Sequence, residues 1–253
     1  MGYNLVVRDA PKSPAAEAIR AIRTNLQFAA MDKSLRTIMV TSAAPAERKT
    51  LLSANLAASI AMSGVKTIIV GADLRKPTTH EVFGVSSQPG VTNVLLGTAT
   101  LDEALHESGV PGLQVLPSGP IPPNPAEVIG SDAMANLVES LCERAEKVVF
   151  DATPVLAVTD AALLSRLVDG VLLVVAMKQT PREIVRQSCN ILHQAKANIL
   201  GVVANKDDVR GRSAYYHEYY ALPEGSEANS SRAFRSKHSP FGVLSRIFNK
   251  ASS

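Results

Sequence analysis

The stretch TIMVTSAAPAERKTLLSANLAASIA, residues 37–61, decides the fold. It opens on TIMVTS (37–42), a short run rich in apolar and β-branched residues on consecutive positions, as a strand buried on both faces requires. A tight alanine-rich loop follows, then a Lys-Thr pair and a segment with helical spacing over Thr50–Ser63. Strand, loop, Lys-Thr and helix is the layout of a phosphate-binding loop. In such a loop backbone N–H groups and the helix N-terminus surround the phosphates, the lysine reaches the β/γ oxygens and the hydroxyl meets Mg²⁺. Against the pattern GxxxxGK[ST] the residues are Ala43, Ala44, Pro45, Ala46, Glu47, Arg48, Lys49 and Thr50. The Lys-Thr pair is kept and the glycines are not.

That loss has a physical meaning. Glycines permit positive φ and let the backbone approach a phosphate closely. A left-handed conformation at Ala46 costs roughly 1 kcal/mol. Arg48 sends a side chain from a place where backbone normally meets ligand. It either points outward and leaves binding weakened, or folds inward and supplies charge to an anion.

Working outward, further β-type runs are TIIVG (67–71), LQVLPSG (113–119), KVVFD (147–151), GVLLVV (170–175) and ILGVVAN (199–205), with helical stretches Asp132–Ala145 and Pro181–Ala195 between them. This alternation predicts an α/β fold, a doubly wound and mostly parallel sheet of the P-loop NTPase type, with ligands at the carboxyl ends of the strands. Three regions are expected: an N-terminal helical segment over 1–35, the P-loop domain over 36–212, and a tail over 213–253. Ahead of the sheet, SPAAEAIRAIRTNLQFAA predicts a helix with Ser13 as N-cap and Pro14 at its first position. Ile19, Ile22 and Leu26 form its apolar stripe. On that helix Glu17, Arg20 and Arg23 read, by pattern alone, as a solvated charged face.

Composition bounds the rest. The 253 residues are 46% hydrophobic and 19% charged, which suits a globular chain rather than a disordered one. The longest apolar run, Gly170–Met177, is far below the roughly 20 residues of a membrane helix, and the first thirty residues carry no secretory leader pattern. Two cysteines, Cys142 and Cys189, lie 47 positions apart and suit free thiols. The net charge of +3 sits in the tail: residues 221–253 hold five Lys/Arg and two Asp/Glu, and the remainder balances. A neutral body argues against nucleic acid as a partner, while the basic tail allows contact with a membrane surface or an acidic partner. Within that tail Phe241, Leu244 and Phe248 fall on one face of a short amphipathic helix candidate.

Six segments then occur in fixed order: SPAAEAIRAIRTNLQFA, TSAAPAERKT, VGADLRKPTTHEVFG, LPSGPIPPNPAEVIGSD, VVFDATPVLAVTDA and ILGVVANK. Together they resemble the cytoplasmic catalytic domain of the bacterial tyrosine kinases that control capsule and exopolysaccharide assembly, over about residues 13–206. The resemblance implies ATP and Mg²⁺ as cofactors and assigns nucleotide contacts to residues 46–51 (Ala46, Glu47, Arg48, Lys49, Thr50, Leu51) and to Asn205. Thr50, Asp73 and Asp151 would handle the metal, with Lys49 and Asp73 catalytic. The family's DxDxR motif reads Gly71, Ala72, Asp73, Leu74, Arg75, so its first aspartate is missing. The usual Pro-Pro after the Walker B aspartate is Thr153-Pro154.

The resemblance further implies that Glu17, Arg20 and Arg23 join subunits into a ring. It implies too that Tyr215, Tyr216, Tyr219 and Tyr220 are phosphorylated in trans by a neighbouring subunit. A separate membrane activator, a polysaccharide co-polymerase, is the implied partner, and would hold a cytoplasmic chain at the membrane periphery. Without the family context Asp151 and Asp73 also read as simple helix or turn caps. A partitioning-type ATPase on the same fold would need a second lysine early in the loop, where Ala44 stands. Losing two loop glycines and one acid weakens both positioning and charge neutralisation, on which phosphoryl transfer depends. The expectation is therefore an impaired kinase or pseudokinase, with a non-catalytic ring scaffold as the alternative.

Overall fold

A computed structural model describes residues 4–29 and 35–205. Seven strands are present: β1 (Thr37–Ser42), β2 (Thr67–Gly71), β3 (His106–Glu107), β4 (Leu113–Leu116), β5 (Lys147–Asp151), β6 (Gly170–Ala176) and β7 (Ile199–Asn205). The described helices are α1 (Val6–Asp9), α2 (Pro14–Ala29), α3 (Lys49–Ala61), α4 (Thr79–Phe83), α5 (Val91–Leu95), α6 (Leu101–Ala104), α7 (Pro125–Ile129), α8 (Asp132–Arg144), α9 (Asp160–Leu164) and α10 (Arg182–Gln194).

The strands lie in one sheet in the order β3-β4-β2-β5-β1-β6-β7, parallel throughout except for the β3–β4 edge pair. The period of two along each strand divides the core. Met39, Val148, Phe150, Val171 and Leu173 pack on one face with α8 residues such as Met134 and Leu141. Ile38, Val40, Val149, Leu172 and Val174 pack on the other with Leu56 and Ile60 of α3 and Ile19 and Leu26 of α2. Both faces are dry over β1, β2, β5 and β6, which explains why those strands read as continuous apolar runs; the edge strand β7 reads the same way but is only partly buried, with Val202 45% exposed.

α3 is buried almost all round, with only Leu51 among its thirteen residues partly open. A helix apolar on every side needs cover on every side. α2 supplies it: Ser13 caps that helix by accepting from the Ala16 N–H at 3.2 Å, and the Arg23 guanidinium donates to the Ser59 carbonyl at 2.7 Å.

One sequence expectation is corrected, and one strand was not foreseen. The run 113–119 is a strand only to Leu116; Pro117, with no N–H to donate, begins the loop. The two-residue strand β3 is too short to leave a periodic signal, and its antiparallel pairing with β4 closes the sheet edge. Tyr215, Tyr216, Tyr219, Tyr220 and the basic tail lie outside the described residues.

Candidate functional site

β1 lies inside the sheet, with β5 on one side and β6 on the other. The loop leaving its carboxyl end stands over a cavity of about 760 Å³. Pro45, Ala46, Glu47, Arg48, Lys49, Thr50 and Leu51 line it from the loop side, with Asp73, Arg75, Lys76, Thr78, Thr153 and Pro154 opposite. Pockets of roughly 300–1,000 Å³ suit small ligands and cofactors.

The loop keeps a glycine conformation without glycines. Ala46 has φ 64° and Arg48 has φ 61°, each a left-handed setting costing roughly 1–2 kcal/mol. Glu47, between them, supplies the restraint. Its buried carboxylate accepts from the Ala44 N–H at 2.8 Å, from the Ala176 N–H at 2.9 Å and from the Thr180 hydroxyl. Its carbonyl accepts from the Asn205 amide at 2.8 Å. The strained loop is thereby tied to the ends of β6 and β7, which over-determines its shape. Arg48 itself is exposed at the cavity wall.

Behind the loop the charges converge. Lys49 Nζ lies 3.0 Å from Asp73 Oδ2 and 3.3 Å from Asp151 Oδ1, with all three side chains largely buried. Burial alone would lower the pKa of the ammonium; the opposing fields of Asp151 and Asp73 outweigh it and leave Lys49 raised above the ordinary lysine value. Asp151 also accepts from the Thr79 hydroxyl at 3.1 Å and the Ser53 hydroxyl at 3.4 Å. It is therefore not a helix cap. Asp73 does both jobs, because its Oδ1 accepts from the Arg75 and Lys76 N–H groups at 3.3 and 3.0 Å while Oδ2 meets Lys49. The Thr50 hydroxyl accepts from the Thr78 hydroxyl at 3.3 Å.

Gly71 closes β2 in register with Asp151. A Cβ there would stand 2.7 Å from Ser118 Oγ, 3.1 Å from Ser118 N and 3.3 Å from Thr79 Oγ1, and Ser118 Oγ donates to the Gly71 carbonyl at 2.7 Å. The position is packed as a glycine.

Lys49, Thr50, Asp73 and Asp151 are thus brought together as the sequence predicts. Asn205 is not part of the cavity wall, and its amide serves the loop. Glu17 and Arg20 form an ion pair at 2.6 Å on the outer part of α2, whereas Arg23 turns inward to α3. Two site residues carry no local sequence signal. Asp160, 2% exposed, holds Arg75 through two bonds at 2.8 and 3.0 Å. Thr153 lines the cavity, while its hydroxyl is buried away from the open space and makes no hydrogen bond within the protein. A Thr-Asp pair opening a helix reads as a cap, and only the tertiary fold brings Asp160 to Arg75.

Among the described residues no cluster of three or more His, Cys, Asp or Glu could hold a metal by protein ligands alone. Two carboxylates and a hydroxyl nevertheless fit Mg²⁺, which keeps several waters and is completed by substrate phosphates.

No protein-family model matches the chain. Tyrosine-protein kinase YwqD of Bacillus subtilis is 39% identical over 215 residues, 85% of this chain and 91% of the relative. CapB of Staphylococcus aureus is 35% identical over 85% of this chain and 94% of its own length. The chain belongs to the bacterial tyrosine-kinase family. Solved structures of the family agree. The Escherichia coli ETK kinase domain superposes with TM-score 0.79 at 34% identity, covering 92% of this chain and 86% of that one. The chimerical protein CapA2B2 gives 0.78 at 39%, covering 80% and 89%. A Pyrococcus MinD with Mg-ADP, at TM-score 0.58 and 22% identity, shares the P-loop fold alone with this kinase-family chain. Longer relatives also match: the chain spans 31% of EpsB from Ralstonia solanacearum. No described helix of the chain is long and apolar enough to cross a membrane.

Proposed function

We propose that this chain is an impaired member of its family. It would hold a Mg-nucleotide weakly, transfer phosphate slowly or not at all, and act as a ring subunit in capsule or exopolysaccharide assembly beside a separate membrane partner. The observation that carries this reading is the packed Gly71. It brings no carboxylate, while the two acids that remain, Asp73 and Asp151, both neutralise Lys49. With a nucleotide present, Thr50, Asp73 and Asp151 would hold Mg²⁺, which would supply charge neutralisation at the phosphates. Lys49 would leave its carboxylates for a phosphate oxygen. Without a second acid beside it, Asp73 alone among the described residues would have to serve both the metal and the proton of an incoming tyrosine hydroxyl. Loss of such an acid/base group costs about 10²–10⁴ in rate.

An active autokinase, phosphorylating Tyr215, Tyr216, Tyr219 and Tyr220 in trans, is the second reading. The retained convergence of Lys49, Thr50, Asp73 and Asp151 favours it. Calorimetric titration with Mg-ADP, run alongside YwqD, tests the nucleotide part of the proposal. Binding is expected, weaker than in YwqD because the glycines are gone. No heat with either Mg-ADP or Mg-ATP would contradict nucleotide holding and leave the purely structural scaffold.

A further inference from the structure

Asp160 is a buried carboxylate that no step described above employs. It opens α9 and is 2% exposed. Arg75 Nε donates to its Oδ2 at 2.8 Å and Arg75 Nη2 to its Oδ1 at 3.0 Å. Burying a carboxylate is costly, and a buried ion pair is seldom a net gain in stability over apolar packing. What this pair achieves is the placement of one guanidinium.

Arg75 is open on its other side. Its side chain is 38% exposed and lines the cavity with Lys49, Thr50 and Asp73. Its backbone is held as well, since the Arg75 N–H donates to Asp73 Oδ1 at 3.3 Å. Arg75 is thereby fixed at both ends, against Asp73 after β2 and against Asp160 beyond β5. An arginine has five N–H donors. Two of them serve Asp160, and Nη1 makes no hydrogen bond among the described residues. The pairing takes the Nε–Nη2 edge and leaves Nη1 as the open end of a planar fork whose geometry suits phosphate oxygens. A freely moving arginine loses side-chain entropy on meeting a ligand, whereas one held by a carboxylate has lost it already. The other cations favour the same ligand charge. Lys49 faces two carboxylates, but Arg48 and Lys76 on the cavity wall make no ion pair among the described residues.

We propose that Arg75 binds a phosphate group in this cavity through its free Nη1 side, and that Asp160 is the positioning residue that holds it there. The inference rests on the reading above that a phosphate-bearing ligand enters the cavity. The phosphate is that of a nucleotide or free orthophosphate.

The test compares the full native chain with Arg75→Gln, Asp160→Asn and the double variant Arg75→Gln/Asp160→Asn. Calorimetry is run with Mg-ADP, with Mg-ATP and with orthophosphate, and thermal unfolding without ligand. Arg75→Gln leaves Asp160 buried without its cation and should melt well below the native chain. The double variant removes both charges and should recover most of that loss, so it carries the measurement if the single variant does not fold. Its ligand affinity should fall about tenfold or more, as for a lost hydrogen bond to a charged group. Asp160→Asn keeps the guanidinium but no longer fixes it, so its affinity should fall too, by no more than in the double variant. A purely structural Asp160 would instead lower the melting temperature of Asp160→Asn and leave its affinity native, which overturns the positioning role. Native affinity in the folded double variant overturns the whole inference while the reading beneath it stands. A native chain that binds none of the three probes overturns both. A fall confined to the nucleotide arms assigns the phosphate to a nucleotide, and a fall in the orthophosphate arm as well assigns it to either source. Rapid phosphate incorporation, read by intact mass on the same samples, would sink the impaired-kinase proposal without touching Arg75 or Asp160.

Discussion

Lys49 carries the densest set of charges in the cavity, and its removal separates electrostatic from chemical roles. Lys49→Met leaves Asp73 and Asp151 buried and facing each other without a cation. Breaking a buried pair in this way costs about 3–5 kcal/mol, so thermal unfolding at neutral pH should fall by roughly 10 °C. The sign of the pH dependence follows. Because Lys49 is raised above its ordinary 10.5, its contribution is complete at all lower pH and is lost only as pH rises through the raised value. The gap between native and variant should therefore hold steady below pH 10.5 and close only at more alkaline pH. A gap that stays flat through the alkaline range would contradict the ion-pair account. Gly71→Asp tests the missing acid. Its Cβ needs the space of Ser118 Oγ, which must swing away and give up its bond to the Gly71 carbonyl. The variant should lose about 1 kcal/mol of stability, recover part of it with Ser118→Ala, and gain tyrosine phosphorylation. Stability equal to native would remove the packing argument, and absent phosphorylation in the double variant would place the lesion elsewhere. Lys49 was legible from the Lys-Thr pair that follows strand and loop, and Asp73 and Asp151 from their places at or just past the end of an apolar run. Asp160 and Thr153 were not, because their roles depend on partners or a cavity assembled across the fold.

At the scale of elements, the loop between β1 and α3 holds its shape through Glu47 rather than through its own backbone preferences. Glu47→Ala would strand the Ala44 and Ala176 N–H groups and the Thr180 hydroxyl while keeping two residues in left-handed conformations. Each buried donor left alone costs about 1–3 kcal/mol. A melting loss well above that of a typical surface substitution is expected in thermal denaturation, and a loss within 1 °C would show that the latch is not needed. The strain at Ala46 and Arg48 was foreseeable from the missing glycines. The latch was not, since a glutamate in a loop of alanines gives no sign that β6 and β7 will meet it. α2 divides its three charged residues between two tasks. Arg23→Ala should lower stability, because its guanidinium binds α3. Arg20→Glu, on the outer pair with Glu17, should leave stability nearly unchanged and lower the mass seen by light scattering if the helix joins subunits. An unchanged mass in Arg20→Glu would take this face out of any ring. The long strands and helices were readable to within one or two residues from their apolar period. β3 was not, and β4 lost its last three expected residues to the loop opened by Pro117.

For the whole molecule, the fold of a bacterial tyrosine kinase is intact while its loop glycines and one acid are replaced. The sheet order, the two dry faces and the central loop are what the family's phosphate site requires, and they survive because they are properties of buried apolar pattern rather than of single residues. The chemistry rests on those few residues, and the account is that transfer has been impaired while the cradle persists. The most direct test is to incubate the purified full chain with Mg-ATP and the cytoplasmic segment of the proposed membrane partner, then read intact mass and the 215–220 peptide. The account predicts a chain that stays unphosphorylated throughout the incubation. Phosphate on Tyr215, Tyr216, Tyr219 or Tyr220, absent from Lys49→Met, would contradict it and make this chain a working kinase.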